Sequence, residues 1–214
     1  MKLSGAYYLI PSGIRKFFQL TYHDVINSEL SLARAQTMLD VGCGEGNSIE
    51  RIEKKARLVG IDAWKKYLDK ARKKPYDKLV CGDITRMKFK GKSFDAVMMI
   101  SVLEHLKKKD GIKVIGDMEK IARKVVIILT PAKFLEQEEF DDNPYQRHLS
   151  GFWNNELKKR GYEVIGMTGL DLGPKWLSRN PILSTLTQPM ARMMPEHANE
   201  IMAVKRLWQN RNFQ

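Results

Sequence analysis

Apolar and polar positions along the chain fall into blocks of two different periods. Short apolar runs of four to seven residues recur at Thr37–Val41, Arg57–Asp62, Lys78–Cys81, Phe94–Ile100, Val125–Thr130, Tyr162–Met167 and Glu200–Lys205. Such runs, bounded by Gly, Asp or Pro, read as strands covered on both faces. Between the runs lie segments of helical spacing at about 47–55, 64–73, 109–124 and 154–160. Strands alternating with helices of this length predict a parallel, doubly wound α/β sheet. The expected fold is a mostly parallel seven-stranded sheet with a C-terminal antiparallel strand. Residues 14–34 carry Ile14, Phe17, Phe18, Val25, Ile26, Leu30 and Leu32 at helical spacing, which predicts N-terminal helices. One domain is expected over 1–214: a helical cap at 1–35, a half built on the first five strands at 36–131, and a second half with a lid at 132–214.

Two stretches break the alternation. Residues 132–150 are polar with scattered aromatics, and a loop of this length marks a lid or binding loop. Residues 168–198 mix apolar pieces with Gly169, Gly173, Pro174, Pro181, Pro189 and Pro195, which are expected to fragment them. The apolar set there is Trp176, Leu177, Ile182, Leu183, Leu186, Met190, Met193 and Met194. It admits a packed lid, an apolar substrate pocket, a dimer contact or membrane-surface docking.

Composition changes this picture little. The 214 residues include 43% hydrophobic ones, enough for a core, and no apolar run of about 18 or more that would span a membrane. No secretory leader is expected from the opening segment. Cys43 and Cys81 are too few for a disulfide scaffold, so free thiols of a reducing cytoplasm are expected. The net charge of +12 raises the prospect of an anionic partner. Yet the densest basic runs, Arg72–Lys74 and Lys158–Arg160, fall at predicted helix C-termini, where cations complement the helix dipole. Only Lys107–Lys109 follows a strand and approaches the expected site.

The chemistry concentrates at strand ends. Asp40-Val-Gly-Cys-Gly-Glu-Gly46 follows the first strand. Glycines there allow close approach of a ligand to the main chain, and the turn beyond supplies free N–H groups. The spacing is G-x-G-x-G, with Asn47 where the dinucleotide fingerprint wants its third glycine. Asp40, two residues before the first glycine, suits a ligand bearing an ammonium group rather than a pyrophosphate. Asp62, followed by Ala63, ends the second strand and is placed to accept both hydroxyls of a ribose, or simply to cap the next helix. Gly82-Asp83-Ile84 ends the third; a carboxylate beside an amide reads an adenine edge while Ile84 packs on the ring, and the plainer alternative is a turn. After the fourth strand comes Ser101-Val102-Leu103-Glu104-His105-Leu106.

Together these four strings resemble the class I S-adenosylmethionine-dependent methyltransferases over roughly residues 36–131, with weaker likeness beyond. The string VLEHL is similar to the small-molecule branch related to the ubiquinone- and biotin-pathway methyltransferases. The resemblance implies a Rossmann-like methyltransferase fold with S-adenosylmethionine as cofactor and S-adenosylhomocysteine as product. Asp40, Gly42, Cys43, Gly44 and Gly46 would hold the methionine part, Asp62 and Ala63 the ribose, and Asp83 with Ile84 the adenine. Ser101, Val102 and His105 would line the far side. The Asn/Asp-Pro-Pro-Tyr/Phe string and the Pro-Cys nucleophile of base-modifying enzymes are both missing, which weighs against DNA bases.

In the long loop, Tyr145 and His148 are candidate general bases, set against a packing role. Transfer from a sulfonium often needs only alignment, so a dedicated base is optional. No Cys/His spacing for zinc and no calcium-loop pattern is present, so no metal is expected. The expected acceptor is a small or lipid-like molecule with an O, N or C nucleophile. Its rivals are an RNA acceptor, favoured by the charge, and a SAM-binding fold that serves without catalysis as a partner subunit. A nicotinamide oxidoreductase is disfavoured by the missing third glycine. Oligomeric state is not fixed by the sequence.

Overall fold

The structure is a computed structural model that describes residues 21–53, 57–139, 141–178 and 180–208. Helix α1 (Tyr22–Leu32) opens it with a reciprocal cap. The Thr21 hydroxyl accepts from the Asp24 N–H at 3.3 Å, and the Thr21 N–H donates to the Asp24 carboxylate at 3.0 Å. Ile14, Phe17 and Phe18, expected to begin this helical region, lie outside the described residues.

The seven strands are β1 (Thr37–Val41), β2 (Arg57–Asp62), β3 (Lys78–Cys81), β4 (Phe94–Ile100), β5 (Ala122–Pro131), β6 (Glu163–Leu170) and β7 (Ala198–Arg206). They form one sheet in the order β3-β2-β1-β4-β5-β7-β6. The pairs β1–β2, β2–β3, β1–β4 and β4–β5 are parallel, and β7 runs antiparallel to both β5 and β6. The sheet is therefore mixed. Strand order reverses between β1 and β4, and ligands of open α/β sheets bind outside the strand C-termini at that reversal.

Alternate residues of each strand feed opposite faces. Leu39, Val41, Val97, Met99, Val126 and Ile128 pack with Val114, Ile115 and Met118 of α3 (Lys108–Ile121). Met38, Ala96, Met98, Val125 and Ile127 pack with Val25 and Ile26 of α1. Both faces are thus dry, and each fully buried Val, Leu, Ile or Met contributes roughly 1.5–3 kcal/mol. Arg206 at the end of β7 reaches buried Glu29 of α1 through two hydrogen bonds of 2.7 and 2.5 Å, locking that helix to the sheet.

Three expectations change. The helix expected at about 47–55 is only a 3₁₀ turn at Asn47–Ile49. Asn27 explains the arrest: its side chain donates to Arg51 O and accepts from Glu53 N, satisfying backbone groups that a helix would have paired internally. Residues 168–198 are less broken than their prolines imply. After the short α5 (Lys175–Ser178), α6 (Pro181–Met193) runs through Pro189. It lies directly on β6, where a Cβ on Gly166 would meet Ala191 O at 1.9 Å. Gln188 adds hydrogen bonds to Gly166 O and Gly169 N. This inward face is small and polar, so the apolar one points out. Trp176, Ile182, Leu186, Met190 and Met193 are exposed, which overturns the reading of a lid packed by these residues. The short helices α2 (Lys65–Ala71) and α4 (Asn154–Lys159) match expectation, with basic residues in their last turns.

Candidate active site

The turn after β1 is drawn tight by its own backbone. The N–H groups of Gly42 and Cys43 both donate to Ile61 O, at 2.8 and 3.0 Å, and that of Gly46 donates to Cys43 O at 2.9 Å. Gly42, Gly44 and Gly46 sit at φ +72°, +53° and +81°. Gly42 has a second reason to lack a side chain: a Cβ there would lie 2.5 Å from Val102 Cγ2. Val102 follows β4, so the two strand ends that flank the reversal touch at this point.

Asp62 binds this turn to the end of β2. Its carboxylate accepts from Gly44 N at 2.8 Å and from Trp64 N at 2.7 Å. A carboxylate has about four lone-pair sites, so acceptor capacity remains on the cavity side. Burial raises its pKa against the pull of those N–H groups. Asp40 lies one layer deeper, 1% exposed. Tyr76 donates to its Oδ2 at 2.7 Å and Ser48 at 3.1 Å, yet burial prevails and lifts its pKa to about 6. Burial, with Asp40 and Asp62 nearby, pushes the Cys43 thiol well above its ordinary value, so it is no nucleophile at neutral pH.

Asp83 caps a 3₁₀ turn at Ile84–Arg86, accepting from Thr85 N and Thr85 Oγ1 at 2.8 Å each. Ser101, just beyond β4, holds φ +52°, a strained region for a residue with a side chain. Glu104 and His105 follow in a 3₁₀ turn, Leu103–His105. Glu104 is 4% exposed, and burial lifts its carboxyl to about 7 although Thr130 donates to it at 3.1 Å. The long loop is hung from this turn: Leu149 N and Ser150 N both donate to Glu104 O. It also brings His148 edge-on to His105, ring centroids 4.8 Å apart. Desolvation lowers the His105 pKa, leaving that ring neutral at pH 7.

These strand ends enclose a cavity of about 660 Å³, in the range of small-ligand sites. Of the residues singled out from sequence, its wall contains Gly42, Cys43, Gly44, Asp62, Ala63, Asp83, Ile84, Ser101, Val102, His105 and Tyr145. Asp40, Gly46 and His148 are not in the wall: Asp40 lies beneath the turn, Gly46 behind it against Lys74 and Tyr76, and His148 behind His105. Tyr145 is 56% exposed at the mouth, edge-on to Trp64.

Sequence reasoning passed over Glu45, Tyr67 and Asp141, which also line the cavity, as does Asn143 at the head of the long-loop string that carries Tyr145 and His148. Glu45 was legible, since it sits between the glycines; Tyr67 and Asp141 carry no motif. Among the described residues the wall holds four carboxylates, Glu45, Asp62, Asp83 and Asp141, and no Lys or Arg. Lys70 stands outside it and pairs with Glu45 at 2.6 Å.

Residues 39–131 match the methyltransferase-domain family. A protein of Encephalitozoon cuniculi named as a methyltransferase is 25% identical over 184 residues, covering 75% of this chain and 86% of that protein. A Papaver bracteatum protein named for (S)-tetrahydroprotoberberine N-methylation is 26% identical over 117 residues, 50% of this chain and only 32% of that protein's length. Among solved structures, an S-adenosylmethionine-dependent methyltransferase of Clostridium acetobutylicum shares the fold with a TM-score of 0.59 at 13% identity, over 87% of this chain and 90% of its own. The family match runs from Leu39 in β1 to Pro131 at the end of β5, the span whose strand ends build the cavity, so this part of the chain matches a methyltransferase domain and the fold is that of S-adenosylmethionine-dependent methyltransferases.

Proposed function

We propose that the cavity seats the methionine part of the cofactor over the Gly42–Gly46 turn, the ribose on Asp62 and Ala63, and the adenine by Asp83 and Ile84. Ser101, Val102 and His105 then border the methyl group, and a small neutral or cationic acceptor enters past Tyr145 and Asn143. The observation that carries this reading is the charge of the wall: among the described residues it holds four carboxylates and no Lys or Arg, in a chain of net charge +12. Such a wall attracts a sulfonium and an ammonium group and repels phosphates.

The same charge argues against RNA as the acceptor. Of the basic residues that would track a phosphate backbone, Lys108 pairs with Glu156 at 2.7 Å, Lys133 with Asp171 and Arg147 with Glu138 at 3.6 Å, which leaves only Lys107 and Lys109 without an ion pair among the described residues. A lipid-like acceptor draws no support from the exposed apolar residues of α5 and α6, because none of them lines the cavity. Within this reading Tyr145 touches the acceptor at the mouth, and His148 acts on it only through His105. Alignment supplies most of the rate, since the leaving group is already activated.

Two measurements test the proposal together. Calorimetric titration with S-adenosylhomocysteine should give saturable binding that Asp62→Ala abolishes, with NAD silent. Transfer of labelled methyl should go to small phenols or amines rather than to RNA. Retention of binding in Asp62→Ala would overturn the cofactor placement, and labelling of RNA alone would overturn the acceptor class.

A further inference from the structure

Glu104, His105 and His148 form a group that the cofactor site does not use. One nitrogen of each imidazole and a carboxylate oxygen of Glu104 lie within 4.8 Å of one another. Both rings are oriented by backbone carbonyls: His105 Nδ1 lies 3.2 Å from Arg147 O, and His148 Nδ1 lies 2.6 Å from Leu135 O. A carbonyl only accepts, so each Nδ1 carries the proton and each Nε2 keeps its lone pair. Histidines that bind metal are held this way, with the second ring nitrogen donating to a carbonyl or carboxylate.

Glu104 supplies the independent observation. It is 4% exposed, its carboxylate accepts only from its own backbone N–H and the Thr130 hydroxyl among the described residues, and none of those residues forms an ion pair with it. Buried carboxylates are ordinarily paired with a cation or bound to a metal. The Thr130 hydroxyl fixes one oxygen, and acceptor capacity remains for a ligand.

We infer that Glu104, His105 and His148 bind a divalent transition-metal ion of the zinc type beside the acceptor end of the cavity. Two histidines and a carboxylate, with at least one coordination position open, suit such an ion and not the oxygen-only sets of calcium and magnesium. Ligands at about 2.1 Å on a tetrahedral ion stand about 3.4 Å apart, so the present spacing closes by side-chain adjustment of about an ångström. His105 lines the cavity, so the open position faces the acceptor. An ion there would bind a hydroxyl oxygen and lower its pKa, which selects oxygen nucleophiles within the proposed acceptor class. In that respect alone the inference rests on the proposed function. No ligand-spacing pattern announces this group, because His148 lies 43 residues beyond His105.

The test uses the full chain freed of metal by a chelator. Zinc chloride is titrated by calorimetry, and cobalt(II) by its visible absorption, against the wild type, Glu104→Gln, His148→Ala and the exposed-histidine control His197→Ala. Expected is one equivalent of zinc, a four- or five-coordinate cobalt spectrum, and a higher Tm with zinc. All three should be lost in Glu104→Gln and His148→Ala and kept in His197→Ala. Circular dichroism establishes that each variant is folded, and Glu104→Gln keeps the buried shape if His148→Ala loosens the loop. The inference is overturned if the wild type takes up no stoichiometric zinc, or if uptake survives both ligand variants. S-adenosylhomocysteine titrated into the same samples separates the two readings. Cofactor binding without zinc sinks the metal site alone, and zinc without cofactor sinks the cofactor placement alone.

Discussion

Replacing Asp40 by Asn separates what this carboxylate costs the fold from what it gives the cofactor. The group is 1% exposed, and its pKa rises from 3.8 to about 6 because burial outweighs the donors Tyr76 and Ser48. Between those two values the folded chain holds a proton that the unfolded chain has lost. Stability contributed by this group therefore falls as pH rises through that window, and the deficit is complete above pH 6. At about 1.4 kcal/mol per tenfold change in proton affinity, the deficit is roughly 3 kcal/mol. Asn has the same shape, keeps an oxygen for Tyr76 or Ser48, and carries no charge. Asp40→Asn should thus stabilise the cofactor-free protein at pH 7.5 by up to roughly 3 kcal/mol, on the order of 6–12 °C in Tm for a chain of this size. The advantage should shrink toward zero by pH 4. Thermal melts of both proteins from pH 4 to pH 8 read it directly. An advantage that does not vary with pH, or a mutant less stable at pH 7.5, would refute the reasoning. The same substitution should weaken S-adenosylmethionine binding more at pH 8 than at pH 5, because only the ionised carboxylate attracts the cofactor's cationic end.

Three further outcomes follow from single contacts. Gly42→Ala places a Cβ 2.5 Å from Val102 at φ +72°, so it should destabilise the chain by at least 1–2 kcal/mol, roughly, and abolish S-adenosylhomocysteine binding in a calorimetric titration. Arg206→Ala leaves the buried Glu29 carboxylate without its bidentate partner, and urea unfolding should show a loss of about 3–5 kcal/mol. Ser101→Gly relieves a side chain held at φ +52°, so Tm should rise by the equivalent of about 1 kcal/mol while cofactor affinity falls; an unchanged or lower Tm would show that the turn is not strained.

Most strands were legible because each is a short apolar run closed by Gly, Asp or Pro, and the same closing residues are the ones that reach the cavity. Gly42, Asp62, Asp83 and Ser101 belong both to the strand pattern and to the wall. Legibility ended where a distant side chain decides local structure. Asn27 takes the backbone groups of Arg51 and Glu53, so a segment of helical spacing stops after one turn. Gln188 and Ala191 seat α6 on β6 by polar and small-residue contacts, which turns outward the apolar face that periodicity assigns to a core. The union of Glu104 with His148 depends on hydrogen bonds from Leu149 and Ser150 to Glu104 O, and loop geometry of that kind leaves no periodic trace.

Net charge and site charge point in opposite directions here, and distance explains why both are real. The excess of Lys and Arg raises the potential over the outer surface, but at physiological salt that field decays over about 8 Å. Within the cavity the nearest fixed charges are Glu45, Asp62, Asp83 and Asp141, with Asp40 one layer below. Lys70 offsets Glu45 at 2.6 Å and approaches Asp141 at 3.9 Å, and Arg86 lies 3.8 Å from Asp83, so the outer edge of the site is nearly neutral. The uncompensated carboxylates are then Asp62, close to Gly44, and Asp40 beneath it, directly under the turn proposed to carry the methionine end. A cationic ligand is drawn to that turn and a phosphate is turned away from it, whatever the sign of the whole chain. The basic composition that first argues for a nucleic-acid partner therefore acts over the outer surface, while the proposed cofactor seat is governed by two acids on adjacent parallel strands.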